Sequence, residues 1–338
     1  MSYQVRSEVR SAASGFDPTV CILEESTGTT RAEIWPALGF NCFSWRAQAG
    51  GHALDLIYAD SKFLETAQPT RNGIPILFPF PGRIRDGRFP WYGKTYQLPI
   101  NDSKGHNAIH GFACRRPWRV VGQGADDSNA WVTGEFWGAT DAPETVVLWP
   151  ADYRIRVTYR LTANALSIEA TVDNPGRALL PFGLGYHPYF RVPITADGES
   201  GQCRVESIAD AYWEVENLLP TGRVRAIDAM RDLRQPRQFS DLSMDDLLTR
   251  LNSAETAKVG PLVWGQLEQL PENIRLSLLS APAFRQLIVF TPPHRQAVCL
   301  EPYTCTGDAI NLQQRGIDAG LLVLEPGAAW SGAVEMRV

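Results

Sequence analysis

The sequence predicts an all-β fold, one large antiparallel domain over residues 1–338, and three observations predict it. Apolar residues recur at every second position along several segments, the period that turns alternate side chains to one face of a strand. The chain carries 24 Pro and 28 Gly spread throughout, which suits many short strands and turns better than long helices. Only one stretch, residues 241–251 (DLSMDDLLTRL), has helical spacing, and it is short.

The clearest strand signal lies in residues 153–172. Ile155, Val157, Tyr159 and Leu161 alternate with Arg156, Thr158 and Arg160; Thr162-Ala163-Asn164-Ala165 forms a turn; Leu166, Ile168, Ala170 and Val172 resume the alternation. Asp173-Asn174-Pro175-Gly176 ends the unit with residues that favour tight turns. This spacing predicts a hairpin with one buried face. Similar signals recur at 286–290 and 297–300, flanking Thr291-Pro292-Pro293-His294, and at 321–324 and 329–338, flanking Glu325-Pro326-Gly327. Residues 1–16 are expected to be a flexible or edge-strand extension.

Composition narrows the function classes. A hydrophobic fraction of 44% supports a sizeable core. Lys plus Arg total 32 against 37 Asp plus Glu, a net charge of −5, with no long basic block, so nucleic acid and membrane surfaces are not expected partners. The six cysteines (Cys21, Cys42, Cys114, Cys203, Cys299, Cys305) show no C-x-x-C spacing, so neither a metal site nor a disulfide framework is predicted. With no apolar leader and no run of 18 apolar residues, the chain is expected to be cytoplasmic, with reduced thiols and no membrane span. G-x-G-x-x-G and Walker loops are absent, and no cofactor is expected.

Two stretches depart from the plain β pattern. Residues 71–118 are rich in Gly, Pro, Arg and aromatics, and residues 183–192 gather Tyr186, His187, Pro188, Tyr189 and Phe190. Aromatic rings beside His and Arg suit a sugar pocket, because ring faces cover the apolar C–H patches of a pyranose while charged groups bond its hydroxyls.

The local sequences around these residues resemble the aldose 1-epimerase (galactose mutarotase) family. Asn107-Ala108-Ile109-His110-Gly111-Phe112 resembles the family's Asn-x-x-His-Gly segment, and Gly185-Tyr186-His187-Pro188-Tyr189-Phe190 its His-Pro-Tyr-Phe segment. Gly82-Arg83-Ile84-Arg85-Asp86-Gly87-Arg88-Phe89 is similar to its Asn-Arg-Ile-x-x-Gly-Arg-Phe stretch. Cys299-Leu300-Glu301-Pro302-Tyr303-Thr304 is similar to the segment carrying the catalytic glutamate, and Met244-Asp245-Asp246-Leu247 falls where the family places a substrate-binding aspartate. The pieces follow the family's order. The resemblance implies a large antiparallel β-sandwich, a galactose mutarotase-like supersandwich, with the sugar in a cleft on one sheet. It implies Glu301 as base on O1–H, His187 as acid at the ring oxygen and His110 assisting on that side. Arg83, Asp245, Tyr189 and Phe112 are the implied substrate-binding residues, Asp246 standing as the alternative to Asp245.

Anomer exchange needs only a general base and a general acid, expected here on opposite sides of the sugar, and no metal or cofactor. The expected partner is a small sugar, and the expected assembly a monomer or homodimer. His110-Gly111-Phe112-Ala113, and Gly73-Ile74-Pro75-Ile76-Leu77-Phe78-Pro79, instead resemble the glucose-6-phosphate 1-epimerase branch. That branch has an arginine where this chain has Cys114, and strand alternation would return Arg116, not Arg115, to the face of Cys114. A free aldose is therefore the first reading and a hexose 6-phosphate the second. A non-catalytic sugar-binding or regulatory protein on the same scaffold is the third. A glycosidase, which needs two carboxylates across the bond, finds only Glu301 in a suitable motif.

Overall fold

A computed structural model describes residues 2–11, 14–250 and 261–338. The fold is all-β, with antiparallel strands grouped mainly into three sheets. The first five long strands (Tyr3–Val9, Thr19–Glu25, Arg31–Trp35, Asn41–Ala49 and His52–Asp55) pair in chain order as an up-and-down sheet. Among the described residues, Tyr3–Val9 lies at the edge of this sheet and pairs with Thr19–Glu25.

The hairpin of residues 153–172 forms as its alternation dictates. Strands Arg154–Leu161 and Ala165–Asp173 pair with Leu161 opposite Leu166, and every second residue is buried. They lie within a nine-stranded sheet in which Ala165–Asp173 is flanked by the C-terminal strand Ala329–Arg337. Facing it is an eight-stranded sheet whose middle runs Ala211–Glu216, Asp245–Thr249, Gln286–Phe290, Ala297–Tyr303 and Gly185–Tyr186. Ile155, Val157, Tyr159 and Ile168 from the nine-stranded sheet share one core with Leu248, Leu287, Val289, Val298 and Leu300 from the other. Fully burying side chains of this size contributes about 1.5–3 kcal/mol each.

Two expectations are corrected, and one pair of strands finds partners the pattern left open. Residues 245–249 form a strand, not a helix, because Asp245–Thr249 is hydrogen-bonded between Ala211–Glu216 and Gln286–Phe290 with Leu248 fully buried; sheet pairing overrides a weak helical period. Leu251 lies outside the described residues. The segments around Glu325-Pro326-Gly327 are both strands but do not pair with each other. Leu322–Leu324 pairs with Leu180–Phe182, while Ala329–Arg337 joins the large sheet. Ala113–Arg115 is a 3-10 turn, so the strand alternation used to place Arg115 and Arg116 does not apply. Among the described residues, no helix is long and apolar enough to cross a membrane.

Candidate active site

Strand Ala297–Tyr303 is interior to its sheet, which makes Glu301 an interior carboxylate and not an edge one. Alternation sends Val298 and Leu300 into the core and turns Cys299, Glu301 and Tyr303 to the opposite face. On one side Gly185 pairs with Tyr303 and Tyr189 with Cys299. Between those pairs the ladder is broken by Pro188, which has no N–H to donate, and the His187 N–H bonds the Pro75 carbonyl instead at 3.1 Å. The flanking register still carries through the break and sets His187 across from Glu301. His187 Nε2 lies 3.3 Å from Glu301 Oε1, with both side chains buried.

Each member of the pair is held from behind. The Tyr303 hydroxyl donates to Glu301 Oε2 at 2.6 Å. The Tyr189 ring stacks on the His187 imidazole, 4.7 Å between centroids and 4° between planes, and its hydroxyl donates to the Thr70 carbonyl at 2.7 Å. Tyr189 therefore fixes the imidazole plane.

His110 reaches the pair by an unusual backbone. Its φ of 66° is left-handed, uncommon outside glycine, and its N–H is tied to the Gly82 carbonyl at 2.9 Å. The ring meets His187 edge-on, with centroids 6.0 Å apart. Nδ1 of both imidazoles is buried without a hydrogen-bond partner among the described residues. Arg83 pairs across the short ladder with Ile109; its Nε lies 3.8 Å from Asp102, not against Asp86. Asp102 is itself held by the His106 N–H and the Asn107 amide. The asparagine of the Asn-x-x-His-Gly segment thus anchors the carboxylate beside Arg83.

The phase of one strand separates the two candidate aspartates. Asp245 sits opposite Phe290, which in turn sits opposite Cys299, so it shares the face of Glu301. Asp246 points the other way and binds Arg231 at 2.7 Å, whose guanidinium lies over Tyr212. Phe112 packs on Tyr153, with Phe80 and Trp149 at its edge, as part of the aromatic core around the cleft. Cys114 is buried under the His110 carbonyl, Arg116 is paired with Glu144, and Arg115 is exposed beside Thr70.

Desolvation governs the electrostatics. Burial pushes the Glu301 carboxyl well above the usual range; the Tyr303 hydrogen bond opposes this, Asp245 adds to it and Arg83 counters it. Burial lowers His187 to about 3, and lowers His110 well below the ordinary imidazole value with help from His187, Arg83 and Arg115. Asp245, accessible to solvent but walled by protein, is raised by desolvation against the pull of Arg83. A buried carboxyl pushed up beside a buried imidazole pushed down favours the neutral pair, with the carboxylate–imidazolium form higher in energy, across a contact of 3.3 Å.

A model of the family described as aldose 1-epimerase matches residues 41–337. The chain belongs to the aldose 1-epimerase family. Among its relatives, the uncharacterized protein YihR of Escherichia coli is 28% identical over 258 residues, covering 75% of this chain and 74% of that one. The galactose mutarotase of Rattus norvegicus is 29% identical over 160 residues, 46% of this chain and 43% of the rat protein. A solved galactose mutarotase-like protein from Clostridium acetobutylicum superposes with a TM-score of 0.85 at 24% identity, over 99% of this chain and 98% of that chain. The supersandwich expected from sequence is thereby the fold of this aldose 1-epimerase family chain, and the family supports sugar epimerase or mutarotase chemistry in general.

Sequence reasoning missed Tyr303 and Asp102 in this epimerase-family site. Tyr303 stands two residues after Glu301, and period two alone puts both on one face. Asp102 gave no such signal, since its approach to Arg83 crosses a loop.

Proposed function

We propose that the protein interconverts the α and β anomers of a free aldose by acid–base ring opening and reclosure. The observation that carries the reading is the buried contact of Glu301 Oε1 with His187 Nε2 at 3.3 Å. In this reading the base and the acid act side by side, which suits the chemistry because O1 and the ring oxygen are both bonded to C1. Glu301 takes the proton from O1–H while His187 gives one to the ring oxygen, the C1–O5 bond breaks and an open-chain aldehyde forms. Rotation about C1–C2 presents the other carbonyl face, and the two transfers run backwards to close the ring. Ring opening turns a carboxylate–imidazolium pair into a neutral pair, the change a dry site favours. His110 and Arg83 supply hydrogen-bond donors around the ring oxygen and hydroxyls, and Asp245 accepts from a hydroxyl at the rim.

A hexose 6-phosphate is the second reading, favoured by Arg115, which is exposed and bonded only to Thr70 at 3.4 Å among the described residues. Polarimetry of freshly dissolved α-D-glucose and α-D-galactose, with a coupled assay on glucose 6-phosphate, tests both. Faster equilibration on one of them is the expected result; binding without acceleration would leave a sugar-binding protein.

Tyr303→Phe tests the tuning of the base. The hydroxyl stabilises the ionised form of Glu301, so its loss moves the carboxyl still higher and carries the acid limb of the kcat/KM profile to higher pH. Losing one hydrogen bond to a charged group is expected to lower the rate at neutral pH by about 10–100-fold. An unmoved acid limb would remove Tyr303 from this role.

A further inference from the structure

Cys299 lies in the site without a task in the reaction above. It occupies the same face of its strand as Glu301, two residues away, and its thiol is fully buried with no hydrogen bond among the described residues. A nitrogen of His187, the sulfur of Cys299 and a carboxylate oxygen of Glu301 all lie within 4.8 Å of one another.

We propose that His187, Cys299 and Glu301 form a binding site for a borderline-soft divalent cation, Zn2+ or Cd2+, which blocks the epimerase by occupying its base and its acid. The donor set of one imidazole, one thiolate and one carboxylate is drawn from the three side-chain types that bind Zn2+. The geometry is close to what such an ion needs. A tetrahedral centre about 2.0–2.1 Å from nitrogen and oxygen ligands holds them roughly 3.3–3.4 Å apart, and His187 Nε2 is 3.3 Å from Glu301 Oε1. The sulfur has to move inward by about an ångström or less, which a χ1 adjustment provides. Tyr303 occupies Oε2 of Glu301 and leaves Oε1 for the ion, the kind of outer contact that orients a metal ligand. A water or a sugar hydroxyl would complete the tetrahedron at the fourth position.

Binding exchanges two protons for one ion, the thiol proton of Cys299 and the proton held between Glu301 and His187. The thiol loses its proton to solvent as the sulfur–metal bond forms, His187 binds as neutral imidazole, and nothing is oxidised or reduced. Affinity therefore rises with pH, because the ligand atoms must be free of protons in the complex. The cation site rests on the three side chains alone; inhibition rests also on the reading of Glu301 and His187 as base and acid.

The test is a titration of the full chain with Cd2+ in chelator-free buffer, following the ultraviolet thiolate-to-cadmium charge-transfer band, alongside Zn2+ inhibition of anomer exchange. One Cd2+ per chain is expected, with the band lost in Cys299→Ser although the other five cysteines remain. Zn2+ should inhibit competitively with the sugar. Cys299→Ser should weaken inhibition by at least about 10–100-fold, the loss typical of disturbing even an outer contact of a metal site, and keep its metal-free rate. Cys299→Ala repeats the comparison if serine disturbs the packing. A missing band, or one that survives both variants, overturns the proposal. Cd2+ bound through Cys299 without inhibition leaves the cation site standing and removes the acid–base reading. A protein that accelerates no sugar removes the functional reading and leaves the band to decide the site.

Discussion

Replacing Glu301 with Gln is expected to lower kcat/KM for anomer exchange by about 10²–10⁴-fold, the usual contribution of a positioned general base. Glutamine keeps the shape of the side chain, and its carbonyl oxygen still accepts from the Tyr303 hydroxyl, so the pocket walls stay in place. What disappears is the capacity to hold a proton. The stability of the variant separates this from a collapsed site. The folded-state pKa of Glu301 is raised, so its contribution is fully present below the unfolded carboxyl value and is lost as pH rises through the folded value. A neutral amide pays no such charge burial. Urea unfolding should therefore show Glu301→Gln gaining on the wild type as pH increases, while its activity stays low throughout. Wild-type activity in the variant would remove Glu301 from the base role. Low activity together with lower stability at alkaline pH would instead mean that the variant site is disrupted.

The strands that frame this pair were legible because their apolar residues keep a strict period of two, as in Arg154–Leu161 and Ala165–Asp173. Asp245–Thr249 was not, because two adjacent aspartates and two adjacent leucines mimic a helical period over so short a span; its identity as a strand is set by the neighbours on either side. The same ambiguity hid which aspartate faces the cleft, a matter of strand phase that the pairing with Phe290 decides. Glu301, His187 and His110 were singled out by motif, but their mutual placement was not legible. His187 stands across from Glu301 only because register is kept on both sides of the Pro188 break. Arg115 and Arg116 were misplaced for the converse reason, a strand assumed where the chain makes a 3-10 turn. Local pattern speaks to which face a residue takes, while distance across a cleft depends on pairings remote in sequence.

Gly111→Ala is expected to cost stability and activity together, since this glycine sets the position of His110. Its φ is 65°, and an alanine Cβ would fall 2.2 Å from the Phe78 carbonyl oxygen, 2.4 Å from its carbon and 2.8 Å from Pro79 N. All three are backbone atoms, so no side-chain rotation relieves the clash. The same carbonyl accepts the N–H groups of Phe112 at 2.8 Å and Ala113 at 3.1 Å, so pushing it aside loosens the turn that follows the histidine. Left-handed strain at an alanine costs about 1–2 kcal/mol, and the displaced backbone hydrogen bonds add about 0.5–1.5 kcal/mol each. A loss of about 3–4 kcal/mol by urea unfolding is the expected sum. His110 already sits at φ 66°, its N–H bonded to Gly82, and a shift at residue 111 is transmitted to it directly. The folded fraction of Gly111→Ala should therefore turn over more slowly than wild type, whereas Gly201→Ala, where an added Cβ meets nothing within 4 Å, should leave both quantities unchanged. Wild-type stability in Gly111→Ala would mean that the Phe78–Gly111 contact is not the strut that holds His110 against the pair.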